Sequence, residues 1–217
     1  MNERAARAHA KGETMTVPKL ATIALLILGT APPSLAANAK AATQVLTCLY
    51  PVGPKDTAAT VKKRFGAAAV RTKISGAEGM EIDGIVLWPK DPARRLELYL
   101  SEDKALRITG VGVVGESRWQ VGGLQLGDGI AKVQQLNGKP FKLSGFDWDY
   151  GGYANDMQHG KLDTLPGGCN LSIRLEPGQV DPYPEGISGE VTLSSADPKV
   201  RAAKPVVDEL SISWPVP

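Results

Sequence analysis

Apolar residues recur at helical spacing in two short segments that each begin with an aspartate and end with a glycine. Residues 56–66 predict one helix and residues 128–138 predict a second, with Asp56 and Asp128 in position to cap the two N-termini. The apolar positions on the two helix faces are Val61, Phe65, Ile130, Val133 and Leu136. Because the two segments share this layout 72 positions apart (128 − 56), they favour an internal duplication.

Strand-like alternation follows each predicted helix. Residues 95–100 (RLELYL) place their leucines on one face, and residues 169–175 (CNLSIRL) do the same with a cysteine, two leucines and an isoleucine. This period of two is typical of antiparallel strands that are buried on one side. The Pro- and Gly-rich residues 177–189 predict a long surface loop. Further strands are predicted over residues 84–88, 106–114, 141–146, 191–193 and 210–214.

Together these elements predict an α+β fold in which short helices cover one face of an antiparallel sheet. The repeated order of a helix followed by strands predicts two tandem helix-plus-β-hairpin units. We place the first unit at residues 37–119 and the second unit, with the closing strands, at residues 120–217.

The N-terminal segment has the layout of a secretory signal peptide. Residues 20–28 are apolar apart from one threonine, follow Lys19 directly, and are far shorter than the ~20 residues that cross a bilayer. The small residues after this stretch favour cleavage before Ala37, with Lys40 as the alternative first residue. We therefore expect residues 1–36 to be a leader that is removed, and the mature chain to be periplasmic or secreted.

Removal of residues 1–36 would take away four basic and two acidic side chains, so that the formal net charge falls from +2 to 0 (+2 − 4 + 2). A chain with balanced charge and no run of Lys or Arg has no electrostatic footprint for nucleic acid or for an anionic membrane. We expect neither a nucleic-acid partner nor membrane insertion after signal cleavage.

The chain contains two cysteines, Cys48 and Cys169. In an exported protein a lone pair of cysteines favours a disulfide, because the compartment is oxidising. Such a bond would join the start of the mature chain to its second half. The alternative is two buried, unpaired thiols.

A family resemblance is carried by three stretches of sequence. GLQLG at residues 123–127, the helix after it and LNGKPF at residues 136–141 resemble the turn and helix pattern of β-lactamase-inhibitor-like proteins and of small outer-membrane-assembly lipoproteins. With GFDWDYGG at residues 145–152 added, the chain is also similar to a family of exported bacterial proteins. The resemblance implies a fold used for protein binding. It implies no membrane anchor, because the lipidated cysteine of the lipoproteins is missing near the expected cleavage point.

Two motif matches fail in their sequence context. Residues 110–115 match G-x-G-x-x-G, but dinucleotide binding needs a helix that starts at the glycines, and the residues that follow are too rich in glycine to form one. We interpret this motif as a Gly-rich strand and turn. Residues 147–158 begin like an EF-hand loop but end on glutamine where a glutamate is required. A looser set of oxygen ligands remains open, consisting of Asp147, Asp149, Asn155 and Asp156.

Aromatic residues concentrate in residues 146–153, which hold four of the twelve in the chain. Trp and Tyr anchor many protein interfaces, and acids and the one histidine of the mature chain lie close by in sequence. The candidate binding residues are Trp148, Asp149, Tyr150, Tyr153, Asp156 and His159. The alternative is that Phe146, Trp148 and Tyr150 fill the core face of a strand, since they recur with a period of two.

No pattern in the sequence assigns a catalytic residue or a cofactor, and a single histidine in the mature chain excludes a histidine zinc triad. We interpret the protein as non-enzymatic and expect it to bind another envelope protein as an inhibitor, an assembly factor or a scaffold. The alternative is an envelope hydrolase that acts on a carbohydrate or peptide through Asp147 and Asp149, which would point to the same side of an extended strand. Binding of a small ligand between the two units is a third interpretation.

Overall fold

The computed structural model describes residues 44–214, which contain runs of β-strands separated by three short α-helices. The helices are α1 (Ala58–Phe65), α2 (Ile130–Asn137) and α3 (Pro198–Ala202). The strands are β1 (Val45–Leu46), β2 (Ala69–Ser75), β3 (Glu81–Leu87), β4 (Leu96–Leu100), β5 (Ile108–Val113), β6 (Gln120–Val121), β7 (Lys142–Ser144), β8 (Ala154–Asp156), β9 (Asn170–Glu176), β10 (Thr192–Ser194) and β11 (Val206–Ser213). Short 3-10 helices lie at Gly66–Ala68, Ala77–Gly79 and Pro92–Arg94.

The main sheet has six strands in the order β2-β3-β4-β5-β11-β9, and all its neighbouring strands are antiparallel. A smaller antiparallel sheet has the order β10-β7-β8, and β1 pairs with β6 in parallel. The predicted α+β class with antiparallel sheets and short helices is therefore confirmed. Strand β2 was not predicted, because it forms an exposed sheet edge with charged side chains, and an edge strand lacks the apolar alternation of a half-buried one.

The two faces of the main sheet differ in polarity, as the alternation in β4 predicts. Leu98 pairs with Ile85 on β3 and with Val111 on β5, and these side chains are buried in the core. On the opposite face Tyr99 pairs with Gly84 and Gly110 in the same two strands. Because side chains alternate across a strand, the polar positions of β4, β9 and β11 all come to this second face.

Both predicted helices are present and end at the predicted glycines, but their predicted caps are wrong. Thr57 caps α1 in a capping box with Thr60, and Gly129 precedes α2 without a side-chain cap. The aspartates lie one residue too early to cap. Asp56 instead accepts hydrogen bonds from Arg64, the backbone of the preceding turn and Thr60, and these bonds outweigh burial and lower the pKa of its carboxyl.

The two predicted units share one core. The buried apolar residues of 44–214 form one hydrophobic core, and β5 of the first segment pairs with β11 of the second. The predicted boundary after Trp119 falls inside this core, because the Trp119 side chain is buried and the adjacent β6 pairs with β1. The internal duplication stays a prediction.

Cys48 and Cys169 form a disulfide with a Cα–Cα distance of 5.5 Å, which confirms the predicted bond. It joins the chain just after β1 to the residue before β9. The Trp214 indole Nε1 donates to the Cys48 carbonyl at 3.0 Å, so the two ends of the described chain meet here. Within residues 44–214 no helix has the length and apolar character needed to span a membrane. The predicted leader, residues 1–36, lies outside the described residues.

Candidate functional site

A cleft of about 900 Å³ lies over the polar face of the main sheet. Its floor includes Tyr99, whose ring lies across β5. A Cβ atom on Gly112 would come within 2.9 Å of the Tyr99 hydroxyl oxygen, and one on Gly110 within 3.2 Å of the ring. Both positions therefore need glycine because the ring occupies the space. This confirms the structural interpretation of the G-x-G-x-x-G motif as a strand and turn, with Gly115 at positive φ after β5.

Two chain segments form the first two walls of the cleft. One is the end of the β2–β3 hairpin, which contributes Glu78, and the other is the turn between β7 and β8, which contributes Trp148 and Tyr150. The Tyr150 hydroxyl donates a hydrogen bond to the Glu78 carboxylate and so links the two walls. Trp148 and Tyr150 meet edge to face with ring centroids 5.5 Å apart.

A third wall comes from β9, β11 and Tyr153. Arg174 donates to the Glu209 carboxylate at 3.1 Å and to the Gly151 carbonyl at 3.1 Å. Its guanidinium carbon lies 5.4 Å from the centroid of the Tyr153 ring, within cation–π range. Arg174 therefore fixes the turn at residues 147–152, called the aromatic turn below, to the main sheet. The full lining is Ser75, Gly76, Glu78, Gly79, Ile82, Glu97, Tyr99, Val114, Gly115, Trp148, Asp149, Tyr150, Tyr153, Arg174, Asp208 and Glu209.

The electrostatic environment of the cleft is negative. Burial, followed by the charges of Glu97 and Glu209, raises the pKa of Tyr99 to about 12. Burial and Glu209 raise the pKa of Tyr153, and the hydrogen bond to Glu78 raises the pKa of Tyr150. Nearby carboxylates disfavour a phenolate, so all three tyrosines stay protonated and keep a hydroxyl that can donate.

Four of the six predicted binding residues line the cleft: Trp148, Asp149, Tyr150 and Tyr153. Asp156 and His159 do not line it. Asp156 accepts from the Gln158 backbone, and the His159 side chain is 99% exposed, with Nδ1 3.6 Å from an Asp163 carboxylate oxygen. The cleft therefore brings together four of the six candidate binding residues and leaves out these two.

The alternative in which Phe146, Trp148 and Tyr150 all fill a core is wrong for two of the three. Phe146 is buried, Trp148 is half-buried, and Tyr150 is 46% exposed. The chain leaves extended geometry at Asp147, which has a φ of 64°, and residues 147–152 form a turn. A strand period therefore does not apply beyond Phe146.

Asp147 and Asp149 do not both line the cleft. Asp149 lines the cleft, whereas Asp147 lies outside the lining and accepts hydrogen bonds from the Tyr183 and Ser188 hydroxyls. Across residues 44–214, no group of three or more His, Cys, Asp or Glu side chains is placed to hold a metal ion. The cleft acids are thus spread along its walls.

The sequence interpretation missed the sheet residues of the cleft. Glu97 and Tyr99 occupy the polar positions of the predicted strand 95–100, and Arg174 occupies one in the predicted strand 169–175. This alternation could have indicated that they face away from the core. It could not indicate that they meet the aromatic turn, because the strand order is not local information. No protein-family model, no curated protein and no solved structure matches this chain.

Proposed function

We propose that the protein is an exported, non-enzymatic binding protein that holds a segment of another envelope protein in this cleft. The observation that carries the proposal is the set of three aromatic side chains, Trp148, Tyr150 and Tyr153, which are partly exposed on two neighbouring walls of a concave surface with a polar floor. Exposed aromatic side chains with polar neighbours are typical anchors of protein interfaces. The sequence resemblance to protein-binding folds agrees with this proposal.

Export is supported by the N-terminal sequence and by the disulfide, which persists in oxidising compartments. The alternative function, hydrolysis through Asp147 and Asp149, has less support because hydrogen bonds hold Asp147 outside the cleft. A hydrolase with two carboxylic acids needs both groups beside the same scissile bond.

We expect the mature chain to begin at Ala37 or Lys40, because a signal peptidase cuts after small residues that follow the apolar stretch. Edman sequencing of the protein from a periplasmic or secreted fraction measures the new N-terminus. A cell-envelope protein that retains Met1 or Met15 would contradict export by cleavage.

A photo-cross-linking amino acid at position 150 tests the binding site in cells. Tyr150 is 46% exposed in the cleft, and Tyr50, which is 60% exposed outside it, gives a matched control position. We expect a discrete adduct with one envelope protein from position 150 and not from position 50. The partner, identified by mass spectrometry and purified, should bind the mature protein stoichiometrically without being consumed.

Trp148→Ala should abolish this adduct and weaken binding of the purified partner at least roughly tenfold, as removal of an interface anchor does. The unfolding midpoint should change little, because the Trp148 side chain is half-buried and its indole N–H donates one hydrogen bond, to the Gly145 carbonyl at 3.0 Å. Trp148→Phe, which keeps a ring, should retain most of the binding. A Trp148→Ala protein that unfolds while Trp148→Phe binds no better would count against the site.

A further inference from the structure

The inference concerns the chemistry of the segment that the cleft binds, and it rests on the function proposed above. Five carboxylates and one guanidinium line the cleft: Glu78, Glu97, Asp149, Asp208, Glu209 and Arg174. The electrostatic potential is strongest inside a concave surface that carries mostly one sign of charge, so a ligand of the opposite charge is attracted there. The charge of the cleft is therefore a guide to the charge of its ligand.

Ion pairs inside the chain neutralise part of this charge. Glu209 pairs with Arg174 at 3.1 Å, and the buried Glu97 pairs with Arg95 at 2.6 Å. Arg174 also lies 3.4 Å from Glu176, so its single positive charge is shared. Arg174 is the one basic residue among the described residues that line the cleft, so no second cation there neutralises the other carboxylates.

Three cleft carboxylates have no cationic partner in the described part of the chain. The side chains of Asp149 and Asp208 make no hydrogen bond or ion pair among residues 44–214, and both residues are exposed. Among the same residues, the Glu78 carboxylate accepts one hydrogen bond, from the neutral Tyr150 hydroxyl. These acids stand on different walls, so an extended cation can reach more than one of them at once.

The raised pKa values around the cleft agree with this charge distribution. Burial raises the pKa of Glu176, Arg174 opposes the shift, and the charges of Asp208, Asp147 and Glu209 add to it. The charge of Asp208 also contributes to the raised pKa of Tyr153. Carboxylates are thus close enough to one another to destabilise further negative charge and to favour a cation.

The aromatic side chains of the cleft suit a cation as well as an apolar group. Arg174 already lies with its guanidinium over the Tyr153 ring while it donates to Glu209. Trp148 and Tyr150 present further aromatic surface beside Asp149, and an indole gives the strongest cation–π attraction of the protein side chains. A ligand guanidinium at Trp148 would repeat the arrangement that Arg174 makes at Tyr153.

We propose that the cleft recognises an arginine- or lysine-containing segment of the partner protein, whose cationic side chain lies against Trp148 and Tyr150 and pairs with Asp149 and Asp208. The partner is basic at this segment, in contrast to the balanced charge expected for the mature chain itself. Complementary charge of this kind also accelerates association and makes binding dependent on ionic strength.

Isothermal titration calorimetry of the full mature protein tests the proposal with a short peptide in which arginine alternates with glycine. The matched peptide replaces each arginine with citrulline, whose planar ureido group keeps the shape of the side chain, carries no charge, and has a carbonyl oxygen in place of one amino group. At about 50 mM salt we expect the arginine peptide to bind roughly tenfold more tightly than the citrulline peptide, with a difference that shrinks as salt is added.

The variant D149N/D208N should weaken binding of the arginine peptide roughly tenfold, because it removes the two carboxylates that are proposed to pair with the ligand cation. E102Q/E190Q removes the same number of charges from exposed positions outside the cleft and should bind like the unmodified protein. Circular dichroism of both variants checks that each remains folded.

Equal affinity for the two peptides, no binding of either peptide, or equal affinity in D149N/D208N and E102Q/E190Q would overturn the cationic-ligand proposal. The proposed function still stands after such a result if position 150 cross-links to a partner protein. The segment that the cleft binds would then be neutral and not cationic. Loss of both the cross-link and the peptide binding would contradict the function as well.

Discussion

Replacing Cys48 and Cys169 together by serine is expected to lower the free energy of unfolding by about 5 kcal/mol. The bond closes a loop with a sequence separation of 121, and in the chain-entropy model a loop of this length restricts the unfolded chain by about that amount. Both sulfur atoms are buried, so serine also places two hydroxyls in an apolar environment. Urea unfolding of the oxidised protein and of the double variant measures the difference.

Reduced wild-type protein is the control, because it opens the loop without introducing hydroxyl groups. A reductant should destabilise the wild type and leave the double-serine variant unchanged. If the reduced and oxidised proteins unfold at the same urea concentration, the disulfide does not contribute the stability expected of it.

Gly152→Ala is expected to cost about 3 kcal/mol of stability and to displace the aromatic turn. Gly152 has a φ of 75°, where a side chain adds about 1 kcal/mol of strain, and its Cβ atom would overlap the Leu175 carbonyl oxygen. The backbone of β9 cannot move freely because β11 holds it, so relief of the overlap adds about 1–3 kcal/mol. The turn must shift, and with it Trp148 and Tyr150.

Gly127→Ala provides the matched control for strain without overlap. Gly127 has a φ of 83°, and nothing lies within 4 Å of the position of its Cβ atom. We expect this variant to lose about 1 kcal/mol in the same urea experiment and to keep its binding. Equal destabilisation by the two substitutions would mean that the close approach of Gly152 to β9 does not fix the turn.

Local patterns were sufficient for the helices and for several strands. The leucine alternation of β4 and the mixed apolar alternation of β9 identify one buried face, because burial on one side of a strand imposes a period of two. The glycines that end α1 and α2 are equally local, since they supply backbone angles that other residues disfavour. The predicted N-caps are wrong by one residue, because the Asp56 and Asp128 carboxylates accept hydrogen bonds from backbone N–H groups of the preceding turns.

The disulfide could be predicted in part from the sequence. Composition and the leader predicted that Cys48 and Cys169 would pair, since only one pairing exists and the expected compartment is oxidising. The sequence could not predict which parts of the fold this bond joins. It also could not predict the hydrogen bond that Trp214 donates beside the disulfide.

The sequence by itself determined the α+β class, the positions of α1, α2 and several strands, and the concentration of aromatic residues that contributes one wall of the cleft. Only the tertiary structure decided that the aromatic turn lies over Tyr99, beside Arg174 and Glu209. The physical reason is the strand order: β11 inserts between β5 and β9, so polar residues far apart in sequence share one sheet face. Side-chain alternation assigns each residue to a face, but the pairing of distant strands depends on the free energy of the whole core.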